Sequence, residues 1–242
     1  AEEMGAKVED VILLYDPKAL FTPVGGGSDG TTASAWVVKE AAVACKKLLL
    51  ELAAPKFNAK PEDLDTKDTR VYLKSDPGKS FPFGKFIADE GFGDHDLDIA
   101  ATYFGRPPVT TWMQGGKILD VMNTSFCEVA VDTETGGVEV TQYVVVCDPG
   151  KVLRMTSFEG QLHQAMFFSH GGGLSEEFIY DKASGVKLST NMFEYKKPTI
   201  LDLGPIETYA VETRGGNACY GASGISHCMA APLLPVCAVA NA

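Results

Sequence analysis

The sequence has six cysteines, Cys45, Cys127, Cys147, Cys219, Cys228 and Cys237, and no two of them form a CxxC pair. That spacing excludes a zinc ribbon and an iron–sulfur cluster built from this chain alone. Scattered cysteines in a chain of 242 residues point to a reduced, cytoplasmic protein rather than a disulfide scaffold. No apolar run approaches the roughly 18 residues of a membrane-spanning helix. Positive charge is also short: 21 Lys+Arg stand against 32 Asp+Glu, for a net charge of -11. This balance argues against nucleic acid and against an anionic membrane surface. It leaves room for an anionic ligand, because backbone amides bind phosphate locally. No signal peptide is visible, but the chain begins at Ala1 without a methionine, which leaves room for a removed segment.

A hydrophobic content of 45% supplies a core for one large domain or two small ones. Ala1 to Lys7 reads as the tail of a helix, and Val8 to Tyr15 (VEDVILLY) as an apolar strand. Beginning inside an element suggests a missing neighbour that is another chain or was cut away. Thr22 to Ser34 (TPVGGGSDGTTAS) is a Gly-rich loop in which backbone can approach a ligand closely. A helix is expected over 32–53, with Trp36, Val37, Ala41, Ala44, Leu48 and Leu52 on its buried face and Pro55 ending it. Strand, Gly-rich loop and helix start bring free N–H groups and the positive end of a helix dipole together, which suits an anion. An ordinary flexible loop before a capped helix has the same pattern.

Pro61 to Leu64 reads as a short helix start, and 65–98 as turns and charges. Asp94-His95-Asp96 resembles a metal-ligand cluster, but a single triplet is weak evidence; it is read as a solvated loop, and no metal site is assigned. Phe126 to Cys147 is a β-hairpin: CEVAVD and VEVTQYVVV alternate around the turn residues DTETGG. Glu159 to Ser169 reads as a helix burying Leu162, Ala165, Met166 and Phe167, broken by Gly171 to Gly173. Short strands follow at Glu177 to Tyr180, Val186 to Leu188 and Ile206 to Glu212, and an apolar helix ends the chain over 229–242. Neither a repeat nor a linker divides the chain.

From Ser125 onward several motifs occur in a fixed order: CEVAVDTETGGVEV, CDPGKVL, EGQLHQAMFFSHGGGLSEEFIYD, FEYKKPTILDLGPIE, YGASGIS and PLLPVCAVANA. In order, spacing and residue type they resemble the molybdenum hydroxylases, the xanthine dehydrogenase and aldehyde oxidoreductase family. Residues 1–57 resemble that family's strand, loop and helix, 58–124 match poorly, and 125–242 are the best-matched block. The resemblance implies an α+β fold with mixed sheets and packed helices, the second molybdenum-cofactor-binding domain of the molybdopterin-binding subunit. It implies a molybdenum-bearing molybdopterin, with or without a cytosine nucleotide, gripped between this part and a chain carrying the first half. Iron–sulfur and flavin (FAD) subunits are implied as further partners, and a heterocycle, aromatic compound or aldehyde as the small-molecule substrate.

Carried over residue by residue, the resemblance places Gly27, Ser28, Asp29, Gly30 and Thr31 at the cofactor loop and Gln161 at the family's glutamine. A neutral carboxamide both donates to and accepts from a pterin edge. Asp29 is an awkward carboxylate near a phosphate and is expected to point away. The family's catalytic glutamate is missing: GASGIS is followed by His227-Cys228-Met229, and no Asp or Glu follows Glu212. Three readings are open. His227 replaces the glutamate as base, the chemistry differs, or the chain is a non-catalytic scaffold subunit. Cys228 reads as a small buried hydrophobe, His163 and His170 as packing residues on the Gln161 helix, and Gln164 with Phe167 or Phe168 as candidate channel residues.

Overall fold

The computed structural model describes residues 1–13, 30–84, 122–216, 218–225 and 234–242. Contacts group them into two compact units. The first holds the described residues up to 84 apart from 30–32, and the second holds 30–32 and everything from 122 onward.

In the first unit, helix α1 (Gly30–Phe57) packs on a three-stranded antiparallel sheet. The strands β1 (Leu64–Lys67), β2 (Arg70–Leu73) and β3 (Asp76–Pro82) lie in the order β1-β2-β3. The buried row of α1 is Leu49, Ala53 and Phe57, closing on Leu64 and Val71. Leu48 and Leu52, expected on that face, are exposed. Both sets follow the helical period, and packing against the sheet chooses the phase one residue later. Pro55 does not end the helix either, which continues to Phe57. It stops at Asn58, whose φ of 51° turns the chain, with the Asn58 and Ala59 N–H groups donating to the Pro55 and Ala54 carbonyls.

Two expectations for this unit need correction. Ala1 to Lys7 is not a helix tail but a short 3₁₀ turn, Glu2–Met4, and Val8–Asp10 is a second one rather than the start of a strand. Val8, Ile12 and Leu13 are exposed there, and among the described residues no strand pairs with them; without a ladder partner the segment has no reason to extend. Tyr15 lies outside the described residues. The stretch 65–98 was expected to be turns, yet its first part is the meander β1–β3.

In the second unit, β4 (Met122–Val131) and β5 (Val138–Asp148) form the expected hairpin. Its turn is held by the Asp132 carboxylate, which accepts the Glu134 and Thr135 N–H groups and the Thr135 hydroxyl. Strand β6 (Ile206–Ala210) runs parallel to β5, so β5 is central. Its inward residues Val140, Tyr143, Val145 and Cys147 are buried against helix α2 (Met155–His170). That helix starts four residues before the expected Glu159 and buries Phe158, Leu162 and Met166, while Ala165 and Phe167 are half-buried. Full burial of each large side chain is worth about 1.5–3 kcal/mol, so this seam fixes the helix on the sheet.

Gly171 to Gly173 does not break α2 into a loop but continues it as a π-helical turn, Gly171–Ser175. Glu177 to Tyr180 and Val186 to Leu188 pair only through one bridge, Tyr180 with Lys187. The last helix, α3 (Leu234–Asn241), is docked by the Ser169 hydroxyl, which accepts the Leu234 N–H.

Candidate functional site

A cavity of about 720 Å³ opens in the second unit. Three segments build it: the first residues of α1, the turn after β5 running into α2, and the strand-like stretch around Ser223. Hydrogen bonds tie the turn after β5 to the stretch 212–223. The Gly150 carbonyl accepts the Arg214 N–H, and the Pro149 carbonyl accepts the Ser223 N–H, each at 2.8 Å. The Glu212 carboxylate accepts the Val152 N–H at 2.7 Å. Asp148 accepts the Gly150 N–H at 2.9 Å and the Thr213 hydroxyl at 2.7 Å. Its burial would raise the carboxyl pKa, but the bonds from Thr213 and Gly150 prevail and hold it below the usual carboxylate range. Gly150 has a φ of 71°, and a Cβ on it would stand 2.2 Å from the Gly221 carbonyl oxygen. Only glycine permits that crossing.

Gly30, Thr31 and Gln161 line this one cavity. Gln161 is exposed on α2, beside the buried Phe158–Leu162–Met166 seam rather than in it. Its carboxamide N–H makes one long bond, 3.4 Å, to the Gln164 oxygen, which leaves hydrogen-bonding capacity for a ligand. Gly27, Ser28, Asp29 and His227 lie outside the described residues, as do Cys228 and Asp94 to Asp96. Among the described residues no group of three or more His, Cys, Asp or Glu forms a metal site.

The two helix histidines part company. His163 is exposed, whereas His170 is buried, with its Nδ1 3.1 Å from the Tyr143 hydroxyl. Burial lowers the His170 pKa against an opposing pull from Asp202. Burial also pushes the Cys127 thiol up to about 11 and the Cys147 thiol up to about 12, so neither is a thiolate at neutral pH.

Sequence reasoning missed Lys151, Arg154 and Ser157, which also line the cavity. The lost signal was the helix start. With α2 begun at Glu159, Arg154 reads as a loop residue, whereas it is the N-cap. Among the described residues the lining contains no Asp or Glu, although the chain carries 32 of them. Cations, helix-start N–H groups, hydroxyls and one carboxamide form a donor set that fits an anionic, hydrogen-bonding heterocycle.

Residues 1–204 match the family described as the molybdopterin cofactor-binding domain. The chain belongs to that family.

Among its relatives, the putative xanthine dehydrogenase molybdenum-binding subunit of Escherichia coli K12 is 26% identical, over 98% of this chain and 31% of the relative. The nicotine 6-hydroxylase large subunit of Paenarthrobacter nicotinovorans is 34% identical, over 86% of this chain and 26% of the relative. The fold matches the crystal structure of quinoline 2-oxidoreductase from Pseudomonas putida 86 with a TM-score of 0.78, at 24% identity, over 98% of this chain and 30% of that one. The chain thus spans about a third or less of the relatives it matches. The resemblance read from the sequence is borne out for the family and for the α+β fold. In this molybdopterin cofactor-binding domain, no helix among the described residues is long and apolar enough to cross a membrane.

Proposed function

We propose that this chain is the part of a molybdenum-dependent oxidoreductase subunit that holds the pterin cofactor, and that the enzyme acts on a heterocyclic, aromatic or aldehyde substrate. The observation that carries the reading is the cavity lined by both the α1 start and Gln161, with no Asp or Glu among its described lining residues. Gly30 and Thr31 would offer N–H and hydroxyl donors, with Gly27, Ser28 and Asp29 continuing the same loop by sequence. Gln161 would satisfy a pterin edge from the other wall. When bound, the cofactor would supply a metal centre for two-electron oxidation of a substrate carbon.

A chain bearing the first half of the molybdenum subunit completes the grip in this reading, and iron–sulfur and flavin subunits carry the electrons onward. The nucleotide form of the cofactor and a cytoplasmic location belong to the same proposal. His227 stands by sequence at the slot of the family's glutamate, and an imidazole can accept a proton near neutral pH. A second reading, a non-catalytic scaffold subunit, is favoured by one observation: no carboxylate follows Glu212.

Molybdenum and pterin analysis of the protein purified with its copurifying chains tests the proposal. Near-stoichiometric metal and pterin are expected, and their absence defeats the enzyme reading. His227→Ala should then abolish turnover while the pterin stays bound. Undiminished turnover would make His227 structural.

A further inference from the structure

Two cations stand where the net charge of -11 makes them least expected. Lys151 and Arg154 line the cavity, and among the described residues no carboxylate lines it with them. Among the described residues neither is in an ion pair. The Lys151 ammonium lies 5.7 Å from the centre of the Tyr220 ring, which holds the side chain at the cavity wall.

Arg154 is the N-cap of α2, a position that ordinarily takes Ser, Thr, Asp or Asn. It makes no capping bond, and the first turn of α2 contains no acidic residue. Nor does the first turn of α1. A guanidinium at the positive end of a helix dipole has the wrong sign for the helix itself. With an anion between them, both the dipole and the guanidinium become favourable.

Arg154 and Gln161 are seven residues apart on one helix, about two turns or roughly 10 Å along its axis. The cavity therefore has a cationic end and a carboxamide end. Resting on the cofactor reading above, we propose that Lys151 and Arg154 grip the phosphate-bearing end of the cofactor, leaving Gln161 for the pterin. Arg154 would bind two phosphate oxygens through its fork, and Lys151 would act as a point charge.

The test compares wild type, Lys151→Gln/Arg154→Gln and Arg154→Lys, each purified with its copurifying chains. Pterin per subunit is measured by the fluorescence of its oxidised form, before and after a high-salt wash. Lys182→Gln, in the exposed turn after Tyr180, is the control. Each cation removed should cost roughly tenfold in retention; the double variant should lose nearly all its pterin in the wash, with circular dichroism unchanged. Arg154→Lys should retain part of it, and Lys182→Gln all of it. A loaded wild type beside a double variant that keeps its pterin through the wash overturns the assignment of Lys151 and Arg154 alone. A wild type that carries no pterin overturns the proposed function, and this inference with it.

Discussion

Replacing Gly150 with alanine should unfold the wall of the cavity, and Gly136→Ala supplies the internal reference. The two glycines have nearly the same backbone, with φ of 71° and 73°. Forcing an alanine into that left-handed region costs roughly 1–2 kcal/mol at either position. Their surroundings differ. A Cβ at Gly136 meets nothing within 4 Å, while one at Gly150 stands 2.2 Å from the Gly221 carbonyl oxygen and 2.9 Å from the Gly216 nitrogen. Both neighbours are backbone, so no rotamer change relieves the overlap. Overpacking of this kind adds about 1–3 kcal/mol. Gly150→Ala is therefore expected to lose about 2–5 kcal/mol and Gly136→Ala about 1–2. Urea unfolding followed by circular dichroism measures both, and the difference isolates the crossing of 150 over 221. Equal losses, within about 0.5 kcal/mol, would show that the crossing is not a tight constraint.

Leu162→Ala removes a fully buried side chain from the α2–β5 seam and should cost about 2–5 kcal/mol, read in the same titration; a loss below about 1 kcal/mol would mean that the seam is loose. Gln161→Glu places a negative charge, from an exposed position, in a cavity whose described lining residues include no acid. It should leave stability nearly unchanged while pterin content falls at least about tenfold, and undiminished pterin would remove Gln161 from the site. The depressed pKa of buried His170 makes the neutral ring the folded-state form. The unfolded chain then takes up the proton first, so this contribution is complete above the ordinary imidazole value of about 6.5 and is lost as pH falls below it. His170→Gln should flatten the urea midpoint between pH 8 and pH 5.5, whereas an unchanged slope would assign it to other groups.

What the sequence revealed depended on how far each signal was local. The β4–β5 hairpin was legible because its alternation and its DTETGG turn lie within one stretch. The β1–β3 sheet was not, because its strands are short and polar. Asp76–Pro82 carries Pro77 and Gly78 and, among the described residues, pairs only with β2, as an edge strand can. In α1 the period was right and the phase wrong, since Leu48 and Leu49 compete for the core and only the sheet beneath decides. At the site, Gly30, Thr31 and Gln161 came from resemblance to a family, and the structure brings these three to one cavity. Lys151 and Arg154 carry no motif of their own. Their meaning arises when the turn after β5 folds under Ser223 and sets them at a helix start.

The most direct measurement is an experimental density map of this chain in its native complex, inspected at the cavity between Thr31 and Gln161. Density for a pterin bearing phosphate, with Gln161 against the ring and Lys151 and Arg154 against the phosphate, is the predicted result. A cavity closed by the chain's own side chains, with no pterin density, would contradict the account.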